Sequence, residues 1–167
     1  MLSWLEGTPV SEWVSTSDLG YPILLAIHSM GMATVVGILV LLDLRVLGLA
    51  KSVPLAAFRK VMPLAWLGFG FNLVSGVMLF GATATHMIAN WPFLSKMASI
   101  CTGGFVSWAL WRSLLATAAA PAVGGAAEIT VTPNTRILAI VSLVVWFMAI
   151  LFGRMIAYVL DAAMLAG

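Results

Sequence analysis

Long apolar runs separated by short polar segments dominate the pattern of this chain. The clearest run covers residues 21–49 and has no formally charged side chain between Pro22 and Leu42. About 20 such residues are enough for an α-helix to cross roughly 30 Å of hydrocarbon. Further runs of sufficient length lie at residues 61–86, 93–117 and 137–165. The pattern therefore predicts four transmembrane helices.

The first 20 residues have a different pattern, in which apolar side chains alternate with acids. Ser3 and Glu6 have the spacing of a capping box, and Thr8 before Pro9 is typical of a helix start. Tryptophan side chains in this segment favour the membrane interface, where the ring is half buried and its N–H reaches water. We therefore expect residues 1–20 to form one or two short interfacial helices, and residues 21–167 to form the membrane-spanning part.

Composition places the chain among integral membrane proteins. Of its 167 residues, 62% are hydrophobic and 8% are charged, whereas a soluble globular domain is about half apolar and a quarter charged. The eight basic residues are spread among apolar segments, so they form no stripe that could follow a phosphate backbone, and nucleic-acid binding is excluded. The single cysteine, Cys101, excludes an internal disulfide and a metal site built on paired cysteines.

The basic side chains predict the orientation of the helices. Lysine and arginine accumulate in cytoplasmic loops, and here they cluster around the first and third connections. The third connection, residues 117–135, is rich in Ala, Gly, Pro and Thr, which indicates a flexible loop. We therefore expect an all-α, integral membrane four-helix bundle in the bacterial inner membrane, with both termini outside, towards the periplasm. The residues behind this orientation are Lys51, Arg59, Lys60, Arg112 and Arg136.

The two histidines, His28 and His86, fall on the same outer side of this topology. A polar ring inside a span needs a partner, because lipid offers none. Two imidazoles on neighbouring helices can fill both axial positions of a b-type haem, and small residues one turn away leave room for a porphyrin. We therefore expect His28 and His86 to bind haem b. The alternatives are a hydrogen bond from His28 to the backbone of a neighbouring helix and a solvated His86.

Haem propionates also need cationic or hydrogen-bonding partners, which the later spans supply. Arg154 is the best candidate, because a guanidinium binds a carboxylate through two hydrogen bonds and is costly inside a span without a partner. Tyr158 and Asp161 share its helical face, and Lys96 could hold the second propionate. Alternatively, Arg154 pairs only with Asp161 or extends outward to water. Asn72 is expected to be a helix-packing contact, as is Ser75.

With both axial positions filled, the iron has no open site, so the haem hypothesis predicts electron transfer rather than catalysis. Electrons would pass between a quinone or partner cytochrome in the membrane and a periplasmic partner. Copper handling is the first alternative, since Met32 shares a helical face with His28, and thioether and imidazole suit reduced copper. A structural anchor for a periplasmic metalloprotein is the second. The glycine-rich spans would also permit a homo-oligomer.

Short segments along the chain carry a resemblance to known membrane proteins. In order they read IHSMGMATVVGILVLLDLRVLGL, FNLVSGVMLF, NWPFLSK and GRMIAY. Together they resemble a family of small bacterial four-helix inner-membrane proteins and, more distantly, copper-resistance-D-like and b-type cytochrome membrane proteins. The resemblance implies a haem-binding redox role, in which His28 and His86 match the ligand positions and Arg154 matches a propionate-binding or structural arginine. It also implies a small periplasmic metal-binding partner.

Overall fold

The computed structural model describes residues 2–118 and 131–165, with side chains as far as 116 in the first part and 159 in the second. The described residues form α-helices and connections, without any strand. Most of the predicted loop at residues 117–135 lies outside them. The helices are α1 (Ser3–Glu6), α2 (Pro9–Thr16), α3 (Gly20–Leu47), α4 (Phe58–Ala82), α5 (Ala84–Met87), α6 (Trp91–Ala118) and α7 (Pro133–Leu165), and a 3-10 turn (Leu55–Ala57) precedes α4.

Within the described residues, three helical stretches are long and apolar enough to cross a membrane: Gly20–Leu47, Leu55–Ala82 and Pro133–Val159. Large apolar side chains such as Phe71 on α4 and Phe147 on α7 point outward on their surfaces. An apolar exterior of this extent is stable against lipid rather than water. The chain is therefore an all-α membrane protein. Helix α6 is as long as α3 but is more polar.

The ends of α2 and α3 follow from local chemistry. The Thr8 side chain accepts a hydrogen bond from the Ser11 N–H at 3.3 Å, and Pro9 occupies the first helical position, so the predicted helix start is confirmed. Helix α3 ends at Leu47 because Gly48 takes a left-handed conformation, with φ of 90°, which a glycine adopts without a steric penalty.

The predicted capping box between Ser3 and Glu6 is wrong. The residue that precedes α1 is Leu2, which makes no side-chain cap. Glu6 instead accepts two hydrogen bonds from Thr85, from its backbone N–H at 2.9 Å and from its hydroxyl at 2.6 Å. Sequence spacing could not indicate this contact, because it joins α1 to α5 across almost the whole first half of the chain.

The long helices pack around a shared interior. Helix α3 lies against α4, α6 lies against α7, and α3 also contacts α7. One apolar cluster surrounds the end of α3 nearest Gly48, and a second lies near the middle of α3 and α7. The buried members of the first are Leu42, Val46, Leu55, Phe58, Leu110, Leu114 and Ala139, and those of the second are Val35, Val36, Trp146 and Ala149.

Helices α3 and α4 approach each other very closely. A Cβ atom placed on Gly31 would lie 2.7 Å from the carbonyl oxygen of Gly68 and 2.8 Å from the backbone nitrogen of Asn72. A Cβ atom on Gly68 would lie 2.9 Å from the Cβ of Thr34. Small residues allow this approach, and membrane helices use it to gain packing and hydrogen bonds. As a result, side chains of α3 reach the backbone of α4.

The two N-terminal helices fold over the end of α4. Helix α2 packs on both α3 and α4, and a Cβ atom on Gly81 would lie 3.0 Å from the Ser11 hydroxyl. The Glu6–Thr85 hydrogen bonds attach α1 to α5 at the same end of the molecule. The N-terminal segment is therefore held by specific contacts.

Acid is expected to release α1 from α5. The hydrogen bonds from Thr85 lower the pKa of Glu6 below its ordinary value of 4.5. Because the folded pKa is depressed, the stabilising contact is fully present above pH 4.5 and is lost as the pH falls through the folded pKa. A spin label at position 4, attached through Trp4→Cys in a Cys101→Ser background, should become more mobile over that range. Glu6→Ala, which removes the acceptor oxygen, should make the label mobile at every pH, and Glu12→Ala should leave the transition unchanged.

Candidate functional site

His28 is held by α4 through reciprocal hydrogen bonds. Its Nδ1 lies 3.0 Å from the carbonyl oxygen of Asn72 and 3.2 Å from the hydroxyl of Ser75. The Asn72 side-chain amide in turn donates to the carbonyl oxygen of His28 at 2.8 Å. Because a carbonyl oxygen only accepts, Nδ1 carries a proton and donates it. The predicted hydrogen bond from His28 to a neighbouring backbone is confirmed, as are the packing roles of Asn72 and Ser75.

The other nitrogen of the ring faces Lys96. The Nζ atom of Lys96 lies 3.4 Å from Nε2 of His28. Lys96 is buried, at 8% exposure, and a Cβ atom on Gly153 of α7 would lie 3.5 Å from the end of its side chain. Lys96 was predicted as a propionate partner, but its contact with His28 was not predicted, because α3 and α6 are distant along the chain.

Aromatic contacts fix the start of α6 and hence the position of Lys96. The rings of Phe80 and Phe93 stack with centroids 5.3 Å apart and join α4 to α6. Trp91 meets Phe152 of α7 edge to face at 6.1 Å. Lys96, about one turn further along α6, is thereby directed into the interior between α3 and α7.

The His28–Lys96 pair can share one proton between its facing nitrogens. Either Lys96 is an ammonium that donates to the Nε2 lone pair, or Lys96 is a neutral amine that accepts from an imidazolium. Both states carry one positive charge. A second proton would place two charges 3.4 Å apart, a repulsion of about 5 kcal/mol at an effective dielectric constant of about 20. Within the part of the chain that the structure describes, no carboxylate forms an ion pair with Lys96.

A small cavity lies one helical turn beyond this pair, where Met32 follows His28 by four residues and Ile100 follows Lys96 by four. Its volume is about 20 Å³, which is room for one water molecule. Asn72 lines it from α4, and Trp146 lines it from α7. The remaining lining residues, including Met32, are apolar. The cavity is therefore large enough for one water molecule and too small for an organic ligand.

The described arrangement does not fit a haem between the two histidines. Nδ1 of His28 bonds to the Asn72 carbonyl oxygen and Nε2 faces Nζ of Lys96 at 3.4 Å, so both ring nitrogens already face protein groups in this arrangement. His86 follows Gly76 by ten residues, on the separate helix α5, and is exposed. The exposure of His86 agrees with the alternative of a solvated side chain, and haem binding by the pair stays a prediction that needs a different arrangement.

Among the described residues, the other predicted site residues make no hydrogen bond to His28. Arg154 and Tyr158 are both exposed on α7, as expected of an arginine that extends outward, and the Asp161 side chain lies outside the described residues. Met32, the predicted copper ligand, packs on the second apolar cluster. No group of three or more His, Cys, Asp or Glu residues that could hold a metal ion occurs in the described residues.

A second buried polar cluster was not predicted from the sequence. Asp43 on α3 is 1% exposed and interacts with the hydroxyl of Ser142 on α7. Ser142 lies 3.2 Å from the hydroxyl of Ser107 on α6, which also accepts a hydrogen bond from Trp146. The available signal was weak: each serine is a single small polar residue within an apolar helix, and such residues commonly serve helix packing.

Comparison with protein-family models, curated proteins and solved structures finds no match for this chain. The resemblance carried by the short motifs therefore stays a prediction.

Proposed function

We propose that this protein transfers protons in the bacterial inner membrane, and that His28 and Lys96 form its outer proton-exchange site. In this proposal α3, α4, α6 and α7 form a four-span bundle with its N-terminal and C-terminal ends towards the periplasm. The observation that carries the proposal is the 3.4 Å contact between Lys96 Nζ and His28 Nε2 inside a membrane protein.

The chemistry of the pair supports proton exchange. The Asn72 carbonyl fixes the proton on Nδ1 of His28, so Nε2 is the nitrogen that accepts. In the exchange step an Nζ–H bond of Lys96 breaks as an Nε2–H bond of His28 forms, and the total charge of the pair stays constant. A proton then leaves the pair when the next one arrives, because two charges at this distance repel strongly.

Two further observations favour a proton over a larger cargo. The neighbouring cavity of about 20 Å³ admits only one water molecule. A buried lysine is also costly in a membrane, and ionisable residues inside spans typically mark ion and proton pathways. A hydrogen bond that only holds His28 in place needs no charged side chain. The neutral Ser75 hydroxyl already makes a contact of this kind with the ring.

The test is proton flux into vesicles that contain the purified protein and a pH-sensitive dye. A potassium gradient with valinomycin supplies the driving force. We expect flux above that of protein-free vesicles, and a reduction of about tenfold or more in His28→Gln and in Lys96→Met, since about 1.4 kcal/mol of added barrier gives a tenfold effect. Absence of flux with the unaltered protein overturns the proposal.

Matched controls come from the exposed ionisable residues on the same protein. His86→Gln and Arg154→Gln remove a titratable or charged group outside the pair and should retain the flux. If either control loses as much flux as His28→Gln in a folded protein, the pair is not the specific exchange site.

An absorption spectrum separates this proposal from the haem prediction. Haem bound by His28 and His86 would give a Soret band, with sharp α and β bands after reduction. Its presence would also support the predicted quinone and periplasmic redox partners. Proton exchange by His28 and Lys96 needs no cofactor that absorbs visible light. A Soret band that disappears in both His28→Ala and His86→Ala would favour haem, and metal analysis would test copper in the same samples.

A further inference from the structure

A second buried ionisable group lies near the other end of α3. Asp43 is 1% exposed, and its Oδ2 atom has no hydrogen-bond partner among the described residues. An ionised carboxylate in such a place is costly unless its oxygens are satisfied. The nearest cation along α3, Arg45, donates through Nε to the carbonyl oxygen of Val53. Asp43 therefore has one buried oxygen that, among the described residues, is open to a proton.

A row of hydroxyl groups leads from Asp43 towards the middle of the bundle. The Ser142 hydroxyl lies within reach of the Asp43 carboxyl, and its Oγ is 3.2 Å from that of Ser107. Ser107 accepts a hydrogen bond from Nε1 of Trp146 at 3.0 Å. Because an indole N–H only donates, the Ser107 hydroxyl is free to donate to Ser142, and Ser142 to Asp43. The hydroxyl protons can thus all point towards the carboxyl.

The row ends close to the outer site. Trp146 and Asn72 both line the cavity of about 20 Å³, and Asn72 holds His28. Polar groups therefore lie on both sides of the cavity: Asn72 joins it to His28 on one side, and Trp146 joins it to Ser107 on the other. The cavity itself has room for one water molecule.

We propose that Asp43 is the inner proton-binding group of the same path, which rests on the proposed proton transfer by His28 and Lys96. For inward movement, Ser142 passes its hydroxyl proton to the Asp43 carboxylate and takes one from Ser107. Ser107 takes one from a water molecule, and that water regains its proton from the His28–Lys96 pair. An O–H bond forms on Asp43 and later breaks as the proton passes to water at the inner face. Each hydroxyl ends with the single proton with which it began, so charge and atoms balance.

The vesicle experiment distinguishes this inference from the proposed function. Asp43→Asn should lower the flux by about tenfold or more, while Asp18→Asn, which alters an exposed acid of the N-terminal segment, should retain it. Flux that stops in His28→Gln but continues in Asp43→Asn overturns the role of Asp43 and leaves that of the His28–Lys96 pair. Absence of flux in the unaltered protein overturns both.

A spectroscopic measurement keeps the inference testable if Asp43→Asn does not fold. A protonated carboxyl has an infrared C=O stretch that an ionised carboxylate lacks, and its frequency depends on hydrogen bonding. The band of Asp43 should shift in Ser142→Ala, where the carboxyl loses its hydroxyl partner. A carboxylic-acid region that is identical in the unaltered protein and in Ser142→Ala would overturn the inference.

Discussion

Gly31→Ala is expected to destabilise the protein, whereas Gly37→Ala on the same helix is expected to be neutral or stabilising. The new methyl group at position 31 would lie 2.7 Å from the Gly68 carbonyl oxygen and 2.8 Å from the Asn72 backbone nitrogen. These are backbone atoms, so α3 and α4 must move apart. Overpacking of this kind costs about 1–3 kcal/mol, which exceeds the gain of up to about 1 kcal/mol from replacing glycine by alanine in a helix.

The matched control isolates the clash from helix propensity. A Cβ atom at Gly37 meets nothing within 4 Å, so Gly37→Ala changes only the helix propensity of that position. The thermal unfolding midpoint in detergent should fall for Gly31→Ala and stay level or rise for Gly37→Ala. Equal midpoints for the two variants would show that α3 and α4 are not in direct contact at this position.

The same substitution should also disturb the site. His28 lies one turn before Gly31 and bonds to Asn72, whose backbone is one of the two groups that the new methyl group would strike. If α3 and α4 move apart by a few tenths of an ångström, the hydrogen bonds between His28 and Asn72 become longer. We therefore expect Gly31→Ala to reduce proton flux as well, with Gly37→Ala again retaining it.

The long helices were predictable from sequence because their signal is local. About 20 consecutive apolar residues suffice to indicate a span, and the observed helix over Gly20–Leu47 differs from the predicted 21–49 by two residues at most. That helix ends two residues earlier than predicted because Gly48 takes a left-handed conformation, although the residue after it is still apolar. The Thr8 cap was predictable for the same local reason.

The contacts of the site were less predictable, because they join residues far apart in the chain. His28 and Lys96 were both recognised as candidates, and an ionisable residue in an apolar run is visible in any sequence. Their pairing depends on the position of α6 relative to α3, which the aromatic contacts of Phe93 and Trp91 determine. The expected partner of His28, His86, lies beyond the end of α4 because that helix stops at Ala82.

Trp146→Ala is expected to give the other large loss of stability. Trp146 is 5% exposed and packs against Val35, Val36 and Ala149 in the second apolar cluster. Removing a buried tryptophan side chain typically costs about 3–5 kcal/mol, part of it from the cavity that remains. Lipid provides little hydrophobic driving force for burial, so a value near the lower end of that range is expected. Phe147→Ala, an exposed neighbour, should shift the unfolding midpoint far less.

Rescue by small aromatic molecules separates the packing of Trp146 from its hydrogen bond. The space left by the substitution would adjoin the existing cavity of about 20 Å³ and would be lined mainly by apolar side chains, which favours binding of indole. Indole should restore part of the unfolding midpoint. Benzothiophene has nearly the same shape but no N–H, so it cannot replace the hydrogen bond that Trp146 donates to Ser107. Stronger rescue by indole would show that this hydrogen bond stabilises the buried hydroxyl row, and equal rescue by both compounds would show that Trp146 contributes through packing alone.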